Sequence, residues 1–414
     1  MRLNRDISAL KNRKTDESIV PLVQDIIADV RQNGDSAVRR YAKKFDSYTG
    51  ETLEATPQEL NIKSNTAQKD ILIRAADRIR DFHKNQTEKS WNMFKDDGVV
   101  MGQIVRPLER VAIYVPGGTA VLTSSLLMCA IPAQLAGVKE ISIFTPIKED
   151  GLISPELLQA AEICGIAKIY KVGGVHAIAA AAYGTESIPK VDKIVGPGSA
   201  YIATAKRLVY GAVDIDMVAG PSDILVIADE TACAKYVAAD LLSQAEHGTD
   251  SSSVLVTTSA DLITETEKEI ARQLTYLKRA DIAREALENF GAAVHVSTLE
   301  EAFDISNDLA PEHLEIITAD PFTHLPKVKN AGSVFLGENT PEPLGDYMSG
   351  TNHVLPTGGT ARFYSPLGVY DFVKYSSYSY YPRAAFAELQ DDVAKFALSE
   401  GLDAHANSVK VRFE

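Results

Sequence analysis

Short apolar runs alternate with helical segments from residue 110 to residue 336, and this alternation constrains the fold more than any other feature. Strands that alternate with helices favour βαβ units and parallel sheets. Residues 111–223 contain one such series, and residues 224–336 contain a second one. We therefore expect an α/β protein with two parallel-type sheets.

The two ends of the chain have a different pattern. Residues 1–95 are expected to be mostly helical, because apolar residues recur at helical spacing over 18–32 and 68–84. Near the other end, six tyrosines crowd the span 364–381 and a helix is predicted over 384–398. A tail of this length is too short to bury a core of its own, so we interpret it as a dimerisation or docking arm.

Charge and composition exclude several classes of protein. The net charge of −14 argues against general binding to nucleic acid or to an anionic membrane. No apolar run is long enough to span a bilayer, and the first residues contain no apolar segment of a signal peptide, so a cytoplasmic location is expected. The three cysteines are an odd number without close spacing, which excludes a disulfide framework. Cys129, among apolar neighbours, is expected in the core rather than as a nucleophile.

Two glycine-rich turns are candidates for binding an anionic ligand. Residues 116–119 and 196–199 each follow a predicted strand and open a predicted helix. Glycine allows backbone N–H groups to approach a ligand, and a helix N-terminus favours a pyrophosphate. Neither turn has the usual dinucleotide fingerprint. The local pattern fits a non-standard nucleotide site and a plain βα turn equally well.

Four of the eight histidines lie beside acidic or amide side chains in short polar segments, namely residues 243–247, 311–313, 345–353 and 400–405. Each segment alone has an ordinary explanation, such as a histidine at a helix C-terminus or a surface Glu–His pair. Together they offer imidazole, carboxylate and amide ligands without thiolates, a set that suits zinc or manganese. A neighbouring acid and imidazole also suit proton transfer near neutral pH.

Several longer motifs in the same order resemble the histidinol dehydrogenase family. They are Tyr-Val-Pro-Gly-Gly-Thr-Ala at 114–120, Val-Ala-Gly-Pro-Ser at 218–222, Asp-Leu-Leu-Ser-Gln-Ala-Glu-His-Gly at 240–248, Pro-Glu-His-Leu at 311–314, the segment 345–357 and Glu-Gly-Leu-Asp-Ala-His at 400–405. The resemblance extends from about residue 20 to residue 412.

The resemblance implies a reaction and a set of site residues. L-histidinol would be oxidised through histidinal to L-histidine with two NAD+ and one zinc ion. The implied zinc ligands are Gln244, His247, Asp346 and His405. His313 would accept the hydroxyl proton, and Glu312 would activate the water that attacks the aldehyde. The residues expected to contact the substrate are the four zinc ligands with Ser222, His313, His353 and Glu400.

The resemblance also implies two incomplete Rossmann-like domains and an intertwined homodimer. The expected parts are an N-terminal helical arm (1–20), a zinc-binding catalytic domain (21–110 and 224–363), a nucleotide-binding domain (111–223) and a tail (364–414). In such a dimer, Glu400 and His405 of the tail would reach the active site of the other subunit.

The chain departs from the family pattern on the nucleotide side. Tyr114 matches the pattern, but His176 stands where glutamine is usual and Ser199 stands where asparagine is usual. Both replacements keep hydrogen-bonding capacity in a changed form, so we expect altered cofactor affinity or preference. Two alternatives remain open at this point: a related dehydrogenase for another polar alcohol, such as a sulfonated diol, and a binding protein that senses histidinol or histidine.

Overall fold

The structure is a computed structural model that describes residues 2–3, 7, 10, 17–50, 52–61, 66–117, 122–147 and 151–414. Most of the predicted N-terminal arm lies outside the described residues. Residues 118–121, which include the end of the first glycine-rich turn, lie outside them as well. The chain divides into two compact units. The first comprises Met1–Gln86 and Leu108–Phe372, and the second comprises Thr87–Pro107 and Val373–Glu414.

The bounds of the regular elements follow. The strands are β1 (Arg2–Leu3), β2 (Trp91–Phe94), β3 (Val100–Pro107), β4 (Arg110–Tyr114), β5 (Glu140–Phe144), β6 (Ile169–Tyr170), β7 (Lys193–Val195), β8 (Asp214–Ile215), β9 (Asp223–Ala228), β10 (Ser252–Thr257), β11 (Gly291–His295), β12 (His313–Ile317), β13 (Ser333–Leu336) and β14 (Val373–Tyr380). The α-helices are α1 (Val20–Asp46), α2 (Pro57–Leu60), α3 (Thr66–His83), α4 (Thr123–Ala136), α5 (Pro155–Ile163), α6 (Gly174–Tyr183), α7 (Ala200–Val209), α8 (Ala234–Ala245), α9 (Ala260–Gln273), α10 (Ala280–Phe290), α11 (Leu299–Leu309), α12 (Pro321–His324), α13 (Glu342–Tyr347), α14 (Arg383–Ser399) and α15 (Asp403–Lys410).

The first sheet is parallel and has the strand order β6-β5-β4-β7-β8. Its central strand β4 is buried over residues 111–114, which explains the continuous apolar run in the sequence. Helices α4 to α7 connect its strands, and α4 is apolar along most of its length because it packs in the core. The predicted strands and helices of residues 111–209 are confirmed, with small shifts at their ends.

The second sheet is also parallel and has the order β1-β11-β10-β9-β12-β13. Strands β9, β10 and β12 are buried along their whole length. In the register of β9 and β12, His313 lies opposite Ile224, so the first residues of the two strands are neighbours. The predicted fold class, α/β with two parallel sheets, is confirmed.

The N-terminal helices pack on the first sheet and its helices. Helix α1 buries Val23, Ile26 and Val30 in the same core cluster as α6. It is interrupted at Gly34, whose φ of 52° no helix adopts. The predicted helices over 18–32 and 68–84 are confirmed, and the first of them continues beyond the interruption to residue 46.

The second unit contains an antiparallel sheet, β14-β3-β2, and helices α14 and α15. The tyrosine-rich segment forms β14, which pairs along its whole length with β3. The expectation of helix up to residue 95 was wrong for Trp91–Phe94, which pairs with β3 as an edge strand. Trp91, expected to be a packing residue, is 54% exposed.

Two further elements differ from the sequence-based expectation. Helix α11 was not predicted; it begins at Thr298, whose side chain accepts a hydrogen bond from the backbone N–H of Glu301. Asp346 was expected in an irregular loop over 337–359, but it lies in the short helix α13. Among the described helices, none combines the length and apolar character needed to cross a membrane.

Candidate active site

A polar cavity of about 270 Å³ lies in the first unit. It is located where the carboxyl end of the first sheet, at Gly196, faces the amino end of the second sheet, at His313. Six of the residues predicted for the site line it: Ser222, His247, Glu312, His313, Asp346 and His353. The fold therefore brings together polar segments that are more than 100 residues apart in the sequence.

Glu312 and Asp223 are linked by two reciprocal hydrogen bonds. The backbone N–H of Glu312 donates to Asp223 Oδ1 at 2.7 Å, and the backbone N–H of Asp223 donates to Glu312 Oε2 at 3.1 Å. Both carboxyl groups are buried. Burial, and then the nearby charge of Asp223, raise the pKa of Glu312 well above its ordinary value. Its carboxylate is therefore a stronger base than that of a free glutamate.

His313 is buried, and among the described residues only one of its two ring nitrogens has a hydrogen-bond partner. Its Nδ1 lies 3.1 Å from the backbone carbonyl oxygen of Asp223. A carbonyl only accepts, so Nδ1 carries the hydrogen and Nε2 carries the lone pair. Nε2 makes no hydrogen bond to any described residue. Burial lowers the pKa of His313 to about 4, so the ring is neutral at pH 7 and able to accept a proton.

Glu342 is a site residue that the sequence analysis missed. Ligand atoms of His313, Glu342 and Asp346 all lie within 4.8 Å of one another. The Ser243 hydroxyl donates to Glu342 Oε2 at 3.2 Å. Burial, and then the negative charge of Asp346, raise the pKa of Glu342 to about 8. A sequence feature could have identified Glu342: it stands four residues before Asp346, and this spacing places both side chains on one face of a helix.

The donors around Asp346 fit a metal ion such as zinc. Gln244 is fully buried, and neither atom of its amide has a hydrogen-bond partner among the described residues. Burying an amide without a hydrogen-bond partner costs free energy, unless a bound ligand supplies that partner. His247 lies just beyond the end of α8 and lines the cavity, as does Asp346. Gln244 is not among the described residues that line the cavity. The imidazole of His247 and the carboxyl groups of Asp346 and Glu342 are of the chemical type that zinc accepts.

Two of the predicted site residues, Glu400 and His405, belong to the tail and lie in the second unit. Glu400 follows the end of α14, and His405 lies in α15. Both side chains are exposed. The role predicted for them, in the active site of a partner subunit, stays a prediction.

His353 is held in one orientation by groups on both sides of its ring. Its Nδ1 lies 2.9 Å from the backbone oxygen of Asp346 and therefore carries the hydrogen. Its Nε2, 3.1 Å from Ser125 Oγ, accepts from that hydroxyl. Ser125 lies in the first turn of α4 and lines the same cavity. The sequence analysis missed Ser125 because nothing in its local sequence relates it to a histidine 228 residues away.

The three predicted nucleotide-binding residues occupy different environments, and none of them is among the described residues that line the cavity. The Tyr114 hydroxyl accepts a hydrogen bond of 3.1 Å from the backbone N–H of Gly174. Ser199 is exposed at the start of α7, where its side chain makes no capping bond. The turn just before it, Gly196 to Gly198, does line the cavity.

His176 is fully buried and faces α1 rather than the cavity. Neither ring nitrogen has a hydrogen-bond partner among the described residues. The nearest acid is Asp46, whose Oδ2 is 3.9 Å from Nε2. Burial lowers the pKa of His176 to about 3, so the ring is neutral.

The cysteines are free thiols outside the cavity. Cys129 is fully buried in α4, and burial raises the pKa of its thiol. A thiol in this setting is not a nucleophile, because the reactive form is the thiolate. The expectation that Cys129 is a core residue is confirmed.

Two parallel sheets and a cavity lined by histidine and acidic side chains place the protein in the class of α/β enzymes. Comparison with known proteins makes this specific: the chain belongs to the histidinol dehydrogenase family, whose profile matches residues 10–413. Membership in this family fits an oxidoreductase of histidine biosynthesis.

Individual relatives agree over the whole chain. A histidinol dehydrogenase from Lactococcus lactis subsp. lactis (strain IL1403) is 57% identical over 411 residues, covering 98% of this chain and 95% of the relative. One from Clostridium acetobutylicum is 53% identical, with the same coverage of both chains. The crystal structure of histidinol dehydrogenase from Elizabethkingia anophelis superposes with a TM-score of 0.93 at 39% identity, covering 100% of this chain and 97% of that one.

Proposed function

We propose that the protein is a cytoplasmic, zinc- and NAD-dependent enzyme that oxidises L-histidinol through L-histidinal to L-histidine. The observation that carries the proposal is the buried pair Glu312–His313 at the cavity wall. The imidazole of His313 is neutral at pH 7, and its Nε2 has no hydrogen-bond partner among the described residues. Alcohol oxidation needs a base for the hydroxyl proton, and oxidation of an aldehyde needs an activated water. Two adjacent residues of the chain supply both groups.

In the first oxidation, His313 accepts the hydroxyl proton at Nε2. Its other nitrogen donates to the Asp223 carbonyl, which holds the ring in this tautomer. Two acidic side chains flank the ring: Glu342 Oε1 lies 3.8 Å from Nε2, and Glu312 Oε2 lies 3.8 Å from Nδ1. Burial favours the neutral form of both acids, and ionisation of either one would offset part of the cost of the buried imidazolium.

In the second oxidation, Glu312 removes a proton from the water that adds to the aldehyde. Its raised pKa suits this role, because a carboxylate with a higher pKa is a stronger base. The hydrogen bond from the backbone N–H of Asp223 holds Oε2 at the start of β9, so the carboxyl group keeps a defined orientation. His353, oriented by Ser125, and Ser222 would contact the substrate.

We further propose that Gln244, His247, Asp346 and His405 hold the zinc. When bound, the zinc would orient the imidazole and amine of the substrate, and NAD+ would accept the hydride. Tyr114 and Ser199 are the proposed nucleotide contacts, and we propose that His176 affects the nucleotide site indirectly. Since the structure buries His176 against α1, its departure from the family pattern would act by shaping the turn after β6.

A homodimer is part of the proposal, and the surface of the second unit supports it. Several large apolar side chains of this unit are exposed, among them Phe94 at 71%, Phe396 at 69% and Tyr380 at 61%. An exposed group of aromatic side chains of this size is typical of a protein–protein interface. Light scattering of the purified protein would measure the mass of the particle directly.

The deciding experiment is an assay of NAD+ reduction with L-histidinol, before and after removal of zinc with a chelator. We expect turnover with two NADH formed per histidinol, loss of turnover on chelation, and recovery with added zinc. A sulfonated diol serves as the competing substrate. Absence of turnover in the zinc-loaded protein would refute the proposal, and binding of histidinol without turnover would instead indicate a sensor.

A further inference from the structure

A buried ion pair, Lys206 with Asp216, lies in the wall of the cavity and has no part in the chemistry described above. The side chains are 3% and 1% exposed. Lys206 lies in α7, and Asp216 directly follows β8, so the pair joins the helix after the Gly196 turn to the strand beside that turn. Two charges so deeply buried are expensive to desolvate, and such pairs often add little net stability.

The pair binds both backbone polar groups of one residue, Gly196. Lys206 Nζ donates to the backbone oxygen of Gly196 at 2.9 Å, and the backbone N–H of Gly196 donates to Asp216 Oδ2 at 2.7 Å. The other oxygen of Asp216 accepts from the backbone N–H of Met217 at 2.7 Å. The orientation of Gly196 is therefore set by charged groups from outside its own turn.

Gly196 needs such support because its conformation is unusual. Its φ is +112°, and a Cβ at this position would lie 2.3 Å from the backbone oxygen of Tyr114. This close approach joins the end of β7 to the end of β4. The Tyr114 hydroxyl in turn holds the backbone N–H of Gly174 after β6. The ends of β4, β6 and β7 are thus tied together, with the ion pair beside the end of β7.

We propose that Lys206 and Asp216 are positioning residues for the nucleotide cofactor, which hold the turn Gly196–Ser199 in the conformation that receives it. The inference rests on the proposed function, since it assumes that NAD+ binds along this edge of the first sheet. The pair acts through the backbone of Gly196 and does not touch the reacting atoms. Its loss therefore weakens cofactor binding and leaves the chemistry of His313 and Glu312 in place.

The test replaces both charges together, because a single replacement leaves one charge buried without a partner. In Lys206→Met with Asp216→Asn, we expect KM and Kd for NAD+ to rise about tenfold or more, while kcat and KM for histidinol change by less than about threefold. Kd is measured by titration calorimetry. Zinc content is expected to stay at the wild-type level.

The matched control is the ion pair Lys193–Asp214, with an Nζ to Oδ2 distance of 2.9 Å. It joins β7 to β8 in the same sheet, three residues before Gly196. The double replacement Lys193→Met with Asp214→Asn removes a Lys–Asp pair from the same sheet without touching the turn, although its Asp214 side chain is 49% exposed. We expect its KM and Kd for NAD+ to match the wild type.

The outcomes separate the inference from the function. If the wild-type protein does not reduce NAD+ with histidinol, the proposed function fails. If it does, and the Lys206/Asp216 double variant keeps the wild-type KM and Kd for NAD+, or the control pair changes them equally, the inference is overturned. Should the double variant not fold, Asp216→Glu decides, because it keeps both charges but changes the length of the side chain that holds the Gly196 N–H. The inference requires weakened NAD+ binding in this variant and a wild-type Kd in the control Asp214→Glu.

Discussion

His313 owes its chemistry to residues that are distant in the sequence. Only Glu312 is its neighbour in the chain; the carbonyl that orients its ring comes from Asp223, and the second carboxylate beside it comes from Glu342. Burial keeps the ring neutral. A lone Glu–His pair in a sequence is ambiguous. In the structure, the hydrogen bond of Nδ1 fixes the tautomer of the His313 ring, and Nε2 has no hydrogen-bond partner among the described residues.

The first prediction concerns His313→Asn. Asparagine keeps an N–H donor for the Asp223 carbonyl but cannot accept a proton, so kcat for histidinol should fall by about 10²- to 10⁴-fold. Zinc content, measured by atomic absorption, should stay unchanged, because His313 is not among the proposed ligands. Glu312→Gln is the companion variant, in which oxidation of histidinal should be affected more than oxidation of histidinol.

A loss of zinc in His313→Asn would contradict this assignment. It would instead favour a metal held by the group His313, Glu342 and Asp346, whose ligand atoms lie within 4.8 Å of one another.

The second prediction concerns stability at low pH. The pKa of His176 is lowered to about 3 by burial, whereas an unfolded histidine titrates near its ordinary value. Between the two values the unfolded chain binds a proton that the folded protein excludes, so the free energy of unfolding falls as the pH falls. Between about pH 6.5 and pH 5, the wild type should lose on the order of 1–2 kcal/mol relative to His176→Gln.

Urea unfolding of both proteins across this pH range measures the difference. Burial raises the pKa of the neighbouring Asp46 to about 6, which acts with the opposite sign, but Asp46 is present in both proteins. Parallel pH profiles for wild type and variant would show that His176 does not titrate differently in the folded protein.

At the scale of elements, the sequence patterns were reliable where the apolar runs were long and buried. Strands such as Asp223–Ala228 and helices such as Ala280–Phe290 alternate as the apolar runs of the sequence predict. Short or edge elements were missed, including Asp214–Ile215 and Trp91–Phe94. Their formation depends on the strand beside them, since an exposed edge strand has no apolar pattern of its own.

The third prediction tests the turn after β7. Gly196→Ala should lower the free energy of unfolding by about 2–4 kcal/mol, because it adds a collision with the Tyr114 carbonyl to the cost of a positive φ. Gly211→Ala is the control, since its φ is +97° with no atom within 4 Å of the added Cβ. That variant should lose only about 1 kcal/mol. Equal losses in the two variants would contradict the collision.

At the scale of the whole molecule, the C-terminal segment gains a sheet by recruiting residues from far upstream. Strand β14 pairs with β3, so 87–107 and 373–414 form one unit. The unit leaves many apolar side chains exposed in the isolated chain, and it carries Glu400 and His405. These features support the proposal that the unit is completed by a second copy of the chain.

The fourth prediction uses two inactive variants, His313→Asn and His405→Asn, expressed separately and together. If each active site combines His313 of one subunit with His405 of the other, a mixed dimer contains one fully intact site. Co-expression should then restore NAD+ reduction, although each variant alone is inactive. If both histidines serve the same site within one subunit, no combination restores activity. As the control, the two variants are purified separately and mixed under conditions in which subunits do not exchange, and this mixture should stay inactive.

The sequence by itself determined the fold class, because alternating buried strands and helices leave few topologies other than parallel α/β sheets. It also determined the family, through motifs such as Pro311–Leu314, and with the family the roles expected for Glu312 and His313.

Only the tertiary structure decided the state of the site. It placed Asp223, Ser125 and Glu342 against the predicted histidines, set their tautomers, and showed that His176 is buried against α1. Burial and contact between distant segments determine protonation and orientation, and these depend on the surroundings of a residue in space rather than on its neighbours in the chain.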